Sequence, residues 1–469
     1  MTALLSESRA RVAWGGVTLL CLALSYGVAA DGRVVVLAAG VAALVIAIVV
    51  AGQEPRWAVV AIAFGSYATL FEAAQTATGL PLSKRLVVVV MVALIVWRRA
   101  GGVPLPVPAR RDVVLVTLTL AVVTASSVVA VDRATTLGQL PGLVTAAAIA
   151  LLISTLSEPR WLARAMWSVA LAGGALAAIA LHQQLTGSYG TTYFGLATVE
   201  FDAGVIRSGG PFEPNFFAQA LVVSTALAAY LALRARHVRE RVVGVAVALL
   251  CVAGIAGTAS RGGTLALAAM LGLFLLLRRP RVRVLIPVAV LVFAIGSVVL
   301  PPETTKRVSS LAAATDVQQS IVHDTSFRGR FAENVTAVYM LRDNPLLGVG
   351  SGNFPVRYAE YSTYAGREWR PVRQPHNLYL EAFAETGVIG GTMFLVFLGL
   401  TISGAWRARR LVSADSTLLV EGIFVALIGL LTTSLFLHAA YISTFWAVIG
   451  LAWAAAATGR SAVSRIAGA

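Results

Sequence analysis

Charged residues are scarce in this sequence. Only 13% of its 469 residues are charged, and 58% are hydrophobic. The mean hydropathy is correspondingly high, at +0.81. These values exclude an ordinary soluble domain and favour a polytopic membrane protein. The two cysteines, Cys21 and Cys251, both lie within apolar runs. We therefore expect neither a disulfide framework nor a cysteine metal site.

Three other features are missing. The first apolar run is followed by Asp31-Gly32-Arg33 and not by a small-residue cleavage site, which argues against a cleaved signal peptide. The sequence has no internal repeat. It also has no Asp-x-Asp pair near a predicted outer helix end, although a metal-dependent transferase of sugar phosphates would need such oxygen ligands. We therefore expect no metal ion and no cofactor.

The net charge of +15 comes mainly from short arginine runs between apolar segments. Such runs fix the topology of membrane proteins, so we expect no nucleic-acid partner. A membrane-spanning helix needs about 20 apolar residues. By this criterion the candidate spans are 12–30, 34–51, 57–77, 81–97, 113–131, 137–156, 161–183, 214–233, 242–259, 263–277, 284–300, 386–406, 418–437 and 441–457. The predicted fold is an all-α polytopic membrane protein with about 12–14 transmembrane helices and one long, partly helical extracytoplasmic segment.

The arginines also predict orientation. Alternate connections carry most of them: Arg9, Arg11, Arg98, Arg99, Arg110, Arg111, Arg234, Arg236, Arg239, Arg241, Arg278, Arg279, Arg281, Arg283, Arg407, Arg409 and Arg410. The positive-inside rule then places these connections and both termini in the cytoplasm, and the long segment outside. We divide the chain into N-terminal helices (1–185), central helices with an outer loop (186–300), the long outer segment (301–387) and C-terminal helices (388–469).

The outer segment contains a candidate anion site. Between Ser326 and Arg342, Phe331, Val335, Val338 and Tyr339 fall at helical spacing and define one apolar face. Arg328 and Arg330 would lie in the first turn, where the helix dipole is already positive. A helix start with two guanidinium groups can bind a diphosphate. The alternatives are contacts with lipid head groups or ion pairs with Glu333.

His376 follows Pro375 and therefore lies at or near another helix start, which favours a neutral imidazole suited to general-base chemistry. A polar interfacial histidine bonded to a carbonyl is equally compatible with the sequence. Glu381 and Glu385 lie one turn apart and could orient the histidine or pair with Arg370 and Arg373. A solvated face is the more ordinary interpretation of these two glutamates.

Three further outer features bear on the site. The loop 186–214 runs into Asn215 at the start of a helix, and 258–263 forms a short hinge carrying Arg261. An arginine in such a hinge either faces a polar cavity or extends towards the interface. The glycines within 344–354 allow positive φ angles, so they could form an anion-binding nest or a tight structural turn. His182, Glu72 and His438 lie in or beside apolar runs, and no partner is evident for them.

Several of these runs resemble the O-antigen ligase and polymerase superfamily. The resemblance rests on Arg330 followed by Asp343-Asn344-Pro345-Leu346-Leu347-Gly348-Val349-Gly350, on Pro375-His376-Asn377-Leu378 and on Glu385-Thr386-Gly387. Upstream, Ser260-Arg261-Gly262 and Pro214-Asn215-Phe216 also match, so that the similarity covers roughly 210–400. The aromatic residue often found four places after the second family arginine is replaced by Asn334.

The resemblance implies a metal-independent glycosyltransferase in the bacterial inner membrane. Its donor would be a glycan linked to undecaprenyl diphosphate, and its acceptor a hydroxyl group of a glycan, glycolipid or other molecule at the outer leaflet. By the same resemblance, His376 would activate the acceptor hydroxyl and Arg261 with Arg330, or Arg328, would hold the diphosphate. Asn215, Asn377, Glu381 and Glu385 are the expected supporting residues.

Other functions are also compatible with the sequence. A repeat-unit polymerase of the same superfamily would differ from a ligase in its acceptor. A peptidoglycan glycosyltransferase of the shape and division type would depend on an outer aspartate such as Asp316 or Asp324. A lipid-linked glycan flippase would carry charges deep in the bundle and usually an internal repeat. The long outer segment and the missing repeat argue against this function.

Overall fold

The computed structural model describes residues 54–78, 84–100, 107–202, 205–279, 325–365, 373–438 and 442–467. The predicted spans 12–30, 34–51 and 284–300 lie outside these residues, as do Asp316, Asp324 and Arg370. The described part is a helical bundle with one short hairpin. Its helices are α1 (Pro55–Tyr67), α2 (Leu70–Thr78), α3 (Lys84–Ala100), α4 (Arg110–Ser126), α5 (Arg133–Ser154), α6 (Pro159–Thr186), α7 (Pro214–Arg234), α8 (Val238–Gly257), α9 (Arg261–Arg278), α10 (Thr325–Asp343), α11 (Phe354–Ser362), α12 (Leu378–Leu411), α13 (Ala414–Thr433) and α14 (Ser443–Ala467).

The fold class agrees with the sequence prediction. Among the described residues, seven helices are long and apolar enough to cross a membrane, and α1 with α2 adds an eighth if the bent pair is one span. The protein is therefore an all-α, multi-pass membrane protein. Helix α7 lies at the centre of the bundle, packed against α6, α8 and α13. Its Phe217 and Tyr230 are almost fully buried.

Local sequence accounts for where the helices begin. Asp132, Ser260 and Asn377 cap α5, α9 and α12, each accepting a hydrogen bond from a backbone N–H in the first turn. Proline opens α1, α6 and α7 at a position where its missing N–H costs no helical bond. The predicted hinge carrying Arg261 is present, because α8 ends at Gly257 and α9 begins at Arg261.

The predicted span 57–77 is not one straight helix. The chain bends by 70° between α1 and α2, and Thr69 at the bend has a φ of 52°. The alternation of apolar residues continues through the bend, so hydropathy alone does not reveal it. The outer loop also contains structure that the sequence analysis did not predict. A short 3₁₀ turn (Tyr193–Gly195) precedes an antiparallel hairpin of β1 (Val199–Asp202) and β2 (Val205–Ser208), in which Glu200 pairs with Arg207.

The apolar face of α10 points away from the protein. Phe331 is 46% exposed and Val338 is 52% exposed. The buried side of the helix instead carries Glu333, Thr336 and Met340. This helix therefore buries Glu333 beside small and apolar side chains such as Ala337 and Met340. Because it begins at Thr325, Arg328 ends the first turn and Arg330 lies in the second.

The glycine-rich loop after α10 is a structural turn and not an anion nest. Gly348, Gly350 and Gly352 have φ values of 67°, 96° and 73°. The N–H of Val349 donates to the carbonyl of Ala384 at 2.9 Å, and that of Gly350 to the carbonyl of Glu385 at 3.0 Å. The backbone of the loop therefore binds the backbone of α12, beside a break in that helix at Gly387, whose φ is 66°. These two N–H groups are thus not available to an anion.

Basic residues collect at the end of the bundle opposite this loop, where they pair with acidic residues. The buried Glu421 accepts from Arg278 at 3.1 Å and from Arg409 at 3.1 Å. Arg236 pairs with Asp415. These arginines belong to the runs that predict the cytoplasmic side, so that orientation would place the glycine loop and α10 outside.

Substitution of Gly348 tests the attachment of this loop. We expect Gly348→Ala to destabilise the folded protein by about 1 kcal/mol or more, because alanine disfavours positive φ. Its Cβ would also overlap the backbone of Glu385. Gly399→Ala is the matched control, since a Cβ there meets nothing within 4 Å. The measurement is the thermal midpoint of both variants in detergent. An equal midpoint for the two would contradict this packing.

Candidate active site

A fully buried carboxylate, Glu333 on α10, holds two cationic or basic side chains. It is 0% exposed. One carboxylate oxygen lies 2.7 Å from Nδ1 of His376, and the other accepts from Nη1 of Arg373 at 2.6 Å. Because a carboxylate only accepts hydrogen bonds, Nδ1 carries the proton and the neutral ring keeps its lone pair on Nε2. That tautomer is the one a general base requires.

This pairing excludes two of the alternatives that the sequence left open. Arg373 pairs with Glu333 and not with Glu381 or Glu385. Glu333 in turn pairs with neither Arg328 nor Arg330. Gly329 explains how the ion pair forms, because a Cβ at that position would lie 2.7 Å from Nη1 of Arg373. The absence of a side chain at 329 therefore lets the guanidinium cross α10 and reach the carboxylate.

A second histidine, His438, lies beside the first. The two ring centroids are 5.8 Å apart with planes at 84°, and Phe216 packs edge-on against His438 at 5.0 Å. Burial and the neighbouring His376 lower the pKa of His438 to about 4. His438 is therefore neutral at physiological pH, so it fixes the position of His376 without adding a competing charge.

Three arginines approach one another next to this pair. Burial lowers the pKa of Arg330, the nearby carboxylates of Glu213 and Glu333 oppose the shift, and Arg207 and Arg261 reinforce it. An arginine stays protonated throughout. Among the described residues, no hydrogen bond or ion pair joins Arg330 to a side chain. A protonated guanidinium in a buried setting among other arginines favours a bound anion.

Asn215 organises the arginine cluster from the start of α7. Its Oδ1 accepts from Nη2 of Arg207 at 2.9 Å and from Oγ of Ser260 at 2.9 Å. Its Nδ2 donates to Glu213. Arg207 is itself buried and donates from Nε to the carbonyl of Thr258 at 3.0 Å. The hairpin, the start of α7 and the hinge before Arg261 are thus joined in one network.

Two of the predicted site residues, Arg328 and Asn377, lie outside this network. Nothing in the described part of the chain joins Arg328 to Arg261 or Arg207, and its Nε has no hydrogen-bond partner there. Asn377 caps α12, since its Oδ1 accepts from the N–H groups of Tyr379 at 3.0 Å and Leu380 at 3.1 Å. Its contribution is to fix where the helix begins, directly after His376.

The solvated face expected for Glu381 and Glu385 is wrong, because both side chains are buried. Glu385 accepts from the N–H of Phe354 at 3.3 Å and so holds the start of α11. Both glutamates line a small, largely apolar cavity of about 60 Å³ between α4, α5, α12 and α14. Aromatic rings of Phe394, Phe397, Phe445 and Trp446 line the same cavity. Helix α12 thus leads from His376 into an apolar space within the bundle.

The sequence analysis missed the parts played by Glu333, Arg207 and His438. Glu333 lies three residues after Arg330, and its burial follows from the way α10 packs and not from its position in the sequence. Arg207 looks like one more loop arginine until the hairpin places it beside Asn215. His438 lies at the end of an apolar run, and only the packing of α13 against α12 brings it to His376.

Comparison with known proteins bears on residues of this site. No curated protein matches the chain. One family model matches residues 246–395, and its description is O-antigen ligase. That range contains Arg261, Arg330, Glu333 and His376, whereas Arg207 and Asn215 precede it. The match confirms the predicted resemblance to the O-antigen ligase superfamily, and it supports a ligase- or polymerase-like glycosyltransferase in a multi-pass membrane protein.

Proposed function

We propose that the protein transfers a glycan from an undecaprenyl-diphosphate-linked donor to an acceptor hydroxyl at the outer leaflet of the bacterial inner membrane. The observation that carries the proposal is the contact of His376 with the buried Glu333, at 2.7 Å, beside Arg330. A base and a cluster of cations are the two elements that this reaction needs when no metal takes part.

His376 acts as the general base in this proposal. Its Nε2 accepts the proton of the acceptor hydroxyl as that oxygen attacks the anomeric carbon of the donor sugar. Nδ1–H remains bonded to Glu333, whose negative charge stabilises the imidazolium that forms. The bond between the anomeric carbon and the diphosphate oxygen breaks, and its electron pair leaves with the lipid diphosphate.

The arginines take up the charge of the leaving group. Arg207, Arg261 and Arg330 are permanently cationic, and the first two lie close enough to Arg330 to help lower its pKa. Bringing a diphosphate among them relieves that repulsion. Because its negative charge grows as the glycosidic bond breaks, their attraction is greatest in the transition state.

Independence of metal ions is part of this proposal. The described residues contain no group of three or more His, Cys, Asp or Glu side chains that could hold a metal ion. Metal independence stays a prediction, tested by chelation below.

The function is tested with the purified chain in lipid nanodiscs and a defined undecaprenyl-diphosphate-linked glycan. We expect transfer in the presence of excess EDTA and a rate lower by about 10²- to 10⁴-fold in His376→Ala. Product mass is scored with free glycan, glycolipid and a second lipid-linked repeat unit as acceptors. Elongation of the lipid-linked unit alone would make the protein a polymerase. Full activity of His376→Ala would show that His376 is not the general base. Loss of transfer with EDTA would show that the reaction depends on a metal ion.

Glu333 is a positioning residue in this mechanism. We expect Glu333→Gln to lower kcat by about 10²-fold or more, while the KM for the donor stays within about twofold, because the defect lies in proton transfer. Glu360→Gln is the matched control, since Glu360 is exposed and pairs only with Arg357 on the nearby α11. Thermal midpoints are measured in parallel. A folded Glu333→Gln protein with normal kcat would contradict the assignment.

Arg330 and Arg328 provide a matched pair two residues apart on α10. We expect Arg330→Gln to lower kcat/KM for the donor by about 10²-fold, and Arg328→Gln by less than about fivefold, because only Arg330 lies among the other arginines. Initial rates at varied donor concentration give both values. A greater loss in Arg328→Gln would place the diphosphate on the outer face of the helix.

A further inference from the structure

A second cavity lies where α1 and α2 meet at the 70° bend. It has a volume of about 430 Å³. Its walls are the bend itself, the outer loop around Phe194 and Phe212, and the first turn of α14. This volume falls within the range of small-molecule binding sites, about 300–1,000 Å³. None of the catalytic or diphosphate-binding residues proposed above lines it.

The lining is rich in hydroxyl groups. It includes Ser66, Thr69, Thr76, Ser443 and Thr444. Ser66 is only 1% exposed, and its Oγ has no hydrogen-bond partner among the described residues. A buried hydroxyl without a partner is costly, and a ligand that bonds to it removes that cost.

The cavity is electrically balanced. Its ammonium group, Lys84, lies 2.6 Å from a carboxylate oxygen of Glu72 and donates to Ser443 at 2.8 Å. The two opposite charges cancel. A neutral ligand with many hydroxyl groups therefore fits this cavity better than an anion does.

Aromatic rings and residues with positive φ angles also line this cavity. Phe194 and Phe212 supply apolar surfaces beside the polar groups, a combination that suits the two kinds of surface on a sugar ring. Thr69 and Phe194 have φ values of 52° and 59°. Such positive values are rare for residues with side chains and concentrate at functional sites.

The cavity adjoins the candidate active site along the chain. Phe212 lies four residues before Phe216, whose ring contacts His438. On the other wall, Ile442 lies four residues after His438. The residue after Phe212, Glu213, acts on Arg330 and accepts from Asn215. A chain of sugars bound at one place could therefore reach the other.

We infer that this cavity is a carbohydrate-binding subsite for neutral sugars of one of the two transfer substrates. The inference rests on the proposed glycosyl transfer, and the sugars could belong to the donor or to the acceptor. The cavity holds sugar residues near the base while the arginines hold the diphosphate.

Binding is measured without relying on transfer. The full chain in nanodiscs is examined by saturation-transfer difference NMR with methyl glycosides of neutral hexoses and N-acetylhexosamines. We expect Thr76→Trp, which fills the cavity, to reduce the glycoside signal at least about fivefold. Thr117→Trp is the matched control, because each threonine is exposed and donates only to the carbonyl four residues earlier in its own helix.

Ser66→Ala provides a second variant that removes the buried hydroxyl without adding volume. We expect it to weaken glycoside binding by about fivefold, the effect of one hydrogen bond, with an unchanged thermal midpoint. No glycoside signal from the unmodified chain, or an equal loss in Thr76→Trp and Thr117→Trp, overturns the inference.

Transfer kinetics then identify the source of the sugars. A higher KM for the acceptor alone in Thr76→Trp assigns the cavity to the acceptor, and a higher KM for the donor alone assigns it to the donor. If glycosides bind but no transfer occurs, the proposed function fails while the carbohydrate site stands. If transfer occurs and neither KM changes, the subsite fails while the proposed function stands.

Discussion

The buried carboxylate of Glu333 is the constraint on which the site depends. An ionised carboxylate with no solvent exposure is costly unless its oxygens are bonded to cations or donors. His376 and Arg373 come from the chain segment before α12, whereas Glu333 is on α10. Satisfying one buried charge therefore fixes the distance between two elements that are separate in sequence. The same requirement fixes which nitrogen of the imidazole carries its proton.

Charge is divided between two regions at this end of the bundle. Around Arg330 lie the carboxylates of Glu213 and Glu333 and the guanidinium groups of Arg207 and Arg261, and Asn215 accepts a hydrogen bond from Arg207. At the bend of α1 and α2, Lys84 is balanced by Glu72. The first region holds the guanidinium groups proposed to bind the diphosphate, and the second is the one inferred to bind neutral sugars. A substrate with both a diphosphate and a sugar presents those two kinds of surface.

Composition and arginine distribution were enough to predict a helical, multi-pass membrane protein. The short motifs were enough to select Arg261, Arg330 and His376, which the fold brings to one end of the bundle. Hydropathy could not reveal the bend at Thr69, because apolar residues continue through it. Hydropathy also could not predict that Glu333 is buried, because the predicted apolar face of α10 is the exposed one. Arg207 and His438 reach the site only through long-range packing, which no local pattern encodes.

The contact between the glycine loop and α12 determines which nearby residues can vary. Its bonds to α12 join main-chain N–H and carbonyl groups. Main-chain groups are the same whichever side chains surround them, so these two bonds depend on side-chain identity chiefly at Gly348 and Gly387, where the close approach leaves no room for a Cβ. The exposed surfaces of α10 and α11 consequently take no part in this contact. Those surfaces can vary while Glu333 and His376 keep their spacing.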